Sequence, residues 1–111
     1  MNKAIERAWG KALALGGFQQ QRAGQLRLNG EFDVLGVLCE LHRQATGIGD
    51  WDEFDDSYLD AHFFLPDPVK EWAELEGEPR IKGAYLADLN DWGLDFSVLS
   101  SLIFKHGVSA F

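Results

Sequence analysis

The segment from Asp33 to Ala45 constrains this chain more than any other. Val34, Leu38, Leu41 and Ala45 recur at helical spacing and form one apolar stripe, and Leu35, Cys39 and His42 form a second directly beside it. A surface helix shows one such stripe, so two adjacent stripes describe a helix buried over most of its circumference. The spacing predicts that this helix is the centre of the core, with Asp33 as its N-cap and Gly47-Ile48-Gly49 as its end. Gly36 within it predicts close approach by a neighbouring element, because glycine otherwise weakens a helix by about 1 kcal/mol.

Other elements must cover that helix. Ile5, Ala8, Trp9, Ala12 and Leu13 predict an amphipathic helix from Asn2 to Leu15, ended by Gly16-Gly17. Leu26 and Leu28 alternate before Asn29-Gly30, a dipeptide in which both residues tolerate positive φ, so a small β-hairpin is predicted over Leu26 to Phe32. Its register is open: a two-residue turn pairs Leu28 with Glu31, whereas apolar pairing favours Leu28 with Phe32 and Leu26 with Val34. Asp67 and Pro68 predict a helix entry, Asp67 as cap, with Val69, Trp72, Ala73 and Glu76 following and Gly77 as the stop. Ile81 to Tyr85 reads as a strand or a connector. Leu86 and Leu89 mark a helical turn, and Asp95 is the expected cap of a last helix with Phe96, Leu99, Leu102 and Ile103 inward and Gly107 at its end.

The expected fold is therefore α+β, mainly α: a single compact domain over residues 1–111, with four to five helices and one small β-hairpin. Four Trp and eight Phe supply large apolar area for one core. Cys39 is the only cysteine, which excludes an internal disulfide framework. No run of 18 apolar residues is present, and Lys3, Glu6, Arg7 and Lys11 interrupt the start, so neither a membrane span nor a secretory leader is expected and a cytoplasmic location is.

Charge is unevenly distributed within a formal net charge of -8. Met1 to Thr46 carries six basic residues against four acidic ones, whereas Gly47 to Phe111 carries four against 14. The densest stretch holds Asp50, Asp52, Glu53, Asp55, Asp56 and Asp60 with no basic residue among them. Such a surface disfavours direct nucleic-acid binding, which depends on Lys and Arg, and attracts a basic partner instead. Trp51, Phe54, Tyr58, Phe63 and Phe64 are scattered among these carboxylates without a sustained period, predicting an ordered loop pinned by aromatic anchors.

Few constellations carry chemistry. Cys39 and His42, three apart on a helix, make a thiol–imidazole pair geometrically available, but both sit in an apolar stripe with no nucleophile motif around them. A zinc site built on them with His62 or His106 lacks the usual ligand spacing. The Asp50 loop fails the EF-hand pattern, with Phe54 and Asp55 at positions five and six and Ala61 at position twelve. No Gly-rich phosphate loop and no Gly-x-Ser-x-Gly motif occurs, so no metal or cofactor is expected. Asn90-Asp91-Trp92-Gly93 predicts a turn in which Asn90 or Asp91 bonds nearby backbone.

Several strings, taken in order, resemble a family of small proteins encoded in bacteriophages and prophages. They are Trp9 to Leu13, Gly16 with Phe18 and Gln20, Phe32 followed by Leu35-Gly36-Val37-Leu38-Cys39-Glu40-Leu41, Trp51, Leu65-Pro66 with Val69 and Trp72, and Leu89-Asn90-Asp91 with Gly93 and Phe96. The resemblance implies a phage context and implies no reaction. With the acidic segment, it leads to the expectation of a non-enzymatic inhibitor. Such a protein binds a host protein complex with a basic nucleic-acid-binding surface, such as a CRISPR effector, and mimics nucleic acid. The expected partner-binding residues are Asp50, Trp51, Asp52, Glu53, Asp55, Asp56, Asp60 and Trp92, the two tryptophans through an exposed edge rimmed by charge, with a core role as the favoured alternative for Trp51. The rival reading is a small enzyme or metal binder using Cys39 and His42.

Overall fold

Asp33 accepts the Gly36 N–H at 2.7 Å and so starts helix α2, Val34–Thr46, as its sequence predicts. Gly47 ends it in the left-handed conformation. The computed structural model describes residues 1–110, and every residue from Val34 to Glu40 is buried. Against α2 pack α1 (Lys3–Leu15), α3 (Asp67–Ala73) and α4 (Leu86–Asp91), and α5 (Phe96–His106) packs on α1. Strands β1 (Arg27–Leu28) and β2 (Glu31–Phe32) form one hairpin, and β3 (Arg80–Ile81) and β4 (Ala84–Tyr85) a second. This is a mainly helical α+β fold with one continuous core, to which Trp9, Leu26, Leu38, Tyr58, Leu86, Leu99 and Ile103 contribute buried side chains.

Gly36 has the close neighbour its sequence position implies. A Cβ there would lie 1.8 Å from the carbonyl oxygen of Leu26, so the strand entering the first hairpin crosses α2 at backbone contact. α1 packs on both α2 and α5. The Trp9 indole donates to the Val34 carbonyl at 3.0 Å, and Ser100 of α5 donates to the Gly10 carbonyl at 2.7 Å. Glu6 accepts the N–H of Val108, so α1 and α5 run antiparallel.

Turn chemistry decides the first hairpin. Leu28 pairs with Glu31 and Arg27 with Phe32 across a two-residue turn in which Asn29 and Gly30 both have positive φ. Leu26 leaves the ladder, is fully buried and donates its N–H to His62, so it is satisfied without a cross-strand apolar partner.

Three expectations require correction. There are two hairpins, not one: Ile81 and Ala84 pair across Lys82-Gly83, a turn whose lysine must take a φ of 50°, which few sequences advertise. Asp67 is the first residue of α3, not its cap, and the helix stops at Glu74 in the left-handed region, before Glu76. Asp95 stands at the N-cap of α5 but bonds no helical N–H; its carboxylate takes Arg22 at 2.8 Å instead.

Candidate interaction surface

The acidic segment folds as two successive turns. Asp52 and Ser57 bond through their backbones, and Asp52 Oδ1 accepts the N–H groups of Phe54 at 2.8 Å and Asp55 at 3.2 Å. Tyr58 and Ala61 exchange two backbone hydrogen bonds around Leu59 and Asp60, whose φ values of 49° and 67° close the second turn. Two aromatic side chains fix the loop from beneath. Tyr58 is fully buried, with its hydroxyl 2.6 Å from His42 Nδ1, and the Trp51 indole donates to Glu40 Oε1 at 3.0 Å. Gly49 makes room for this anchor, since a Cβ there would meet the Tyr58 hydroxyl at 2.0 Å.

Burial acts on each of these groups. It pushes the Glu40 carboxyl up, but hydrogen bonds from Arg43, Gln44 and Trp51 outweigh it and hold the group below its ordinary value. Burial raises Tyr58 and lowers His42, so the Tyr58–His42 contact joins two neutral groups near neutral pH.

The loop is not without counter-charge. Arg27, from the first hairpin, donates to Asp56 Oδ1 at 2.7 Å, reaches Glu53 at 3.7 Å and lies 4.8 Å over the Trp51 ring. His62 lies 3.4 Å from Asp55, whose carboxyl is lowered chiefly by hydrogen bonds from Ser57. Asp56 is thus a half-buried structural residue with a φ of 59°. Asp50, Asp52, Glu53, Asp55 and Asp60 are exposed.

With Asp56 set apart by its pairing to Arg27, the structure separates the other expected partner-binding residues into three groups. The five exposed carboxylates share one loop. Trp51 is only 7 % exposed and belongs to the core, because its indole must meet Glu40 and its ring packs against Tyr58 and Phe32. Trp92 is 77 % exposed but stands on the turn between α4 and α5, beside the Arg22–Asp95 pair. The exposed aromatic residue of the loop is Phe54, with no part of its side chain shielded, and Phe63 and Phe64 follow as two more exposed rings. Composition alone places Phe54 among the anchors. Flanking carboxylates do not single it out, because Asp50 and Asp52 flank the buried Trp51 in the same way.

Cys39 and His42 do not form a reactive pair. The Cys39 thiol is fully buried and pushed well up by burial and by the nearby Asp33 and Glu78 carboxyls, while His42 Nδ1 is engaged by Tyr58 and its ring stacks edgewise on Trp72. Asn90 is fully buried and bonds backbone distant in sequence: its amide donates to the Gln21 carbonyl at 3.0 Å and its oxygen accepts from Gln20 at 2.8 Å. Among the described residues, no three His, Cys, Asp or Glu side chains are arranged to hold a metal ion, and no helix is long and apolar enough to cross a membrane. A family model for a domain of unknown function matches residues 1–106. No curated protein and no solved structure matches the chain.

Proposed function

Because the chain belongs to the DUF8296 family, a domain of unknown function, we propose its function from its surface: a small acidic interaction protein whose rigid loop occupies a basic, nucleic-acid-gripping surface of a host complex and blocks it. The observation that carries this reading is the loop itself. Five exposed carboxylates and the fully exposed Phe54 are held by turns, by Arg27 and by two buried aromatic anchors, so little conformational entropy is lost when a partner docks. Carboxylates on a fixed frame suit Arg and Lys residues that otherwise hold phosphates, and a central aromatic residue rimmed by charge has the character of a binding hot spot. In a phage setting the partner is a host defence complex in the cytoplasm, with a CRISPR effector as the specific candidate.

The test combines Asp52→Asn, Glu53→Gln and Asp60→Asn. The first change retains the side-chain oxygen that closes the turn at position 52, and asparagine tolerates the positive φ of position 60, so three charges leave while the fold stays. The parent chain is expected to capture a nucleic-acid-binding complex from host lysate, to be displaced by DNA or RNA, and to bind less tightly as salt rises. Unchanged affinity and unchanged salt dependence in the folded triple variant would rule the reading out.

A further inference from the structure

Four separate stretches of chain converge on a cavity of about 300 Å³ that the proposed loop function does not use. Its walls are Leu35 of α2, Phe64, Pro79 and Tyr85, and two carboxylates line it, Glu78 and Asp88. Phe64 is 67 % exposed and Tyr85 39 %, so two aromatic rings stand partly uncovered where the chain's own packing does not need them. Glu78 Oε1 accepts the Leu65 N–H at 3.0 Å, but its buried Oε2 accepts no hydrogen bond. Lys70 lies 3.8 Å from that oxygen, outside hydrogen-bond reach, and is closer to Asp67 at 3.4 Å. Asp88 pairs with no basic side chain among the described residues.

We infer that this cavity binds an aliphatic cation, an ammonium or guanidinium group on a short apolar stem. The apolar and aromatic walls suit the stem, and Glu78 and Asp88, the second without a basic partner, supply the opposite charge at the cavity wall. An anion would meet two carboxylates without compensation, and a neutral donor would gain a hydrogen bond but no opposite charge. Tyr85 already shows the affinity of its ring for such a group, since the Arg80 guanidinium lies 4.2 Å over it and donates to its hydroxyl. Burial raises the Glu78 carboxyl, and the Leu65 N–H and the Lys70 ammonium offset that rise only in part.

The full chain is titrated with butylguanidinium, butylammonium and the neutral isostere butylurea while backbone amide shifts are followed. Saturable shifts at Leu35, Ala87 and Asp88 are expected with the cations, and butylurea is expected to bind at least about tenfold more weakly. Equal binding of butylurea, or no saturable shift with either cation, would overturn the site. Glu78→Gln combined with Asp88→Asn is expected to reduce cation binding by at least about tenfold with amide dispersion retained. Should that pair unfold, Asp88→Asn alone is the variant, with a weaker loss expected and no loss counting against the site. N-acetyl-arginine methylamide identifies the source: binding comparable to butylguanidinium assigns the cavity to a partner's side chain, and binding of the small cations alone to a free amine. Failure here leaves the loop reading standing, because no variant touches residues 50–60.

Discussion

Arg27 and Asp56, 29 positions apart, meet at 2.7 Å, and through that ion pair the first hairpin holds the acidic loop in place. Both side chains are mostly shielded from solvent, so removing the cation leaves a half-buried carboxylate without its partner. Arg27→Gln is expected to lower stability by about 1–2 kcal/mol in urea unfolding and to speed amide exchange over residues 52–58 more than in the helices. Uniform protection across the loop would show that Tyr58 and Trp51 anchor it unaided.

Two helical glycines should respond to alanine to very different degrees. At Gly36 the added methyl meets backbone, the Leu26 carbonyl, and α2 and the hairpin strand must separate; a loss of about 3 kcal/mol or more is expected. At Gly10 it meets only the ring of Phe104, which is 55 % exposed and free to swing aside. Alanine's better helix propensity, about 1 kcal/mol, then offsets most of the crowding. Denaturant midpoints for the two variants check the contrast.

Asp33 gives stability an unusual pH dependence. Burial raises its carboxyl from 3.8 to about 7, against the lowering effect of the Gly36 hydrogen bond, with Asp91 and Glu78 adding to the rise. The folded state therefore holds a proton that the unfolded chain releases, so this contribution is complete below about pH 4 and is lost as pH rises to about 7, at about 1.4 kcal/mol per unit. Asp33→Asn keeps an oxygen for the Gly36 N–H and removes the ionisation. It is expected to be more stable than the parent at pH 8 and close to it at pH 4, by urea midpoints. A parent-to-variant difference that does not change across that range would refute the assignment.

The Cys39 thiol is expected to react with a thiol reagent only at the rate of unfolding, and fully, at one thiol per chain, in denaturant. Rapid labelling of the native chain would contradict its burial.

The elements that sequence patterning reached are those whose causes are local. Asp33 before a doubly apolar stripe, Asn29-Gly30 before a short strand and Gly47 at a helix end each act within a few residues, and each element stands where it was expected. The second hairpin escaped because Lys82-Gly83 is a weak turn signal, and α3 ended early because Glu74 adopts a conformation its residue type does not announce. Trp51 and Phe54 show the same division within the site. Both are aromatic residues among carboxylates, and one is core and the other exposed.

The sequence by itself determined the central helix, the mainly helical α+β class and the concentration of negative charge after Thr46, because helical periodicity, capping and charge are properties of neighbouring residues. Only the tertiary structure decided which carboxylates are free. Arg27 neutralises Asp56 from 29 positions away, Glu40 draws Trp51 inward, and Glu78 faces a cavity assembled from four stretches of chain. Partners so distant in sequence leave no local pattern, since their meeting depends on how the helices pack and not on the spacing within any one of them.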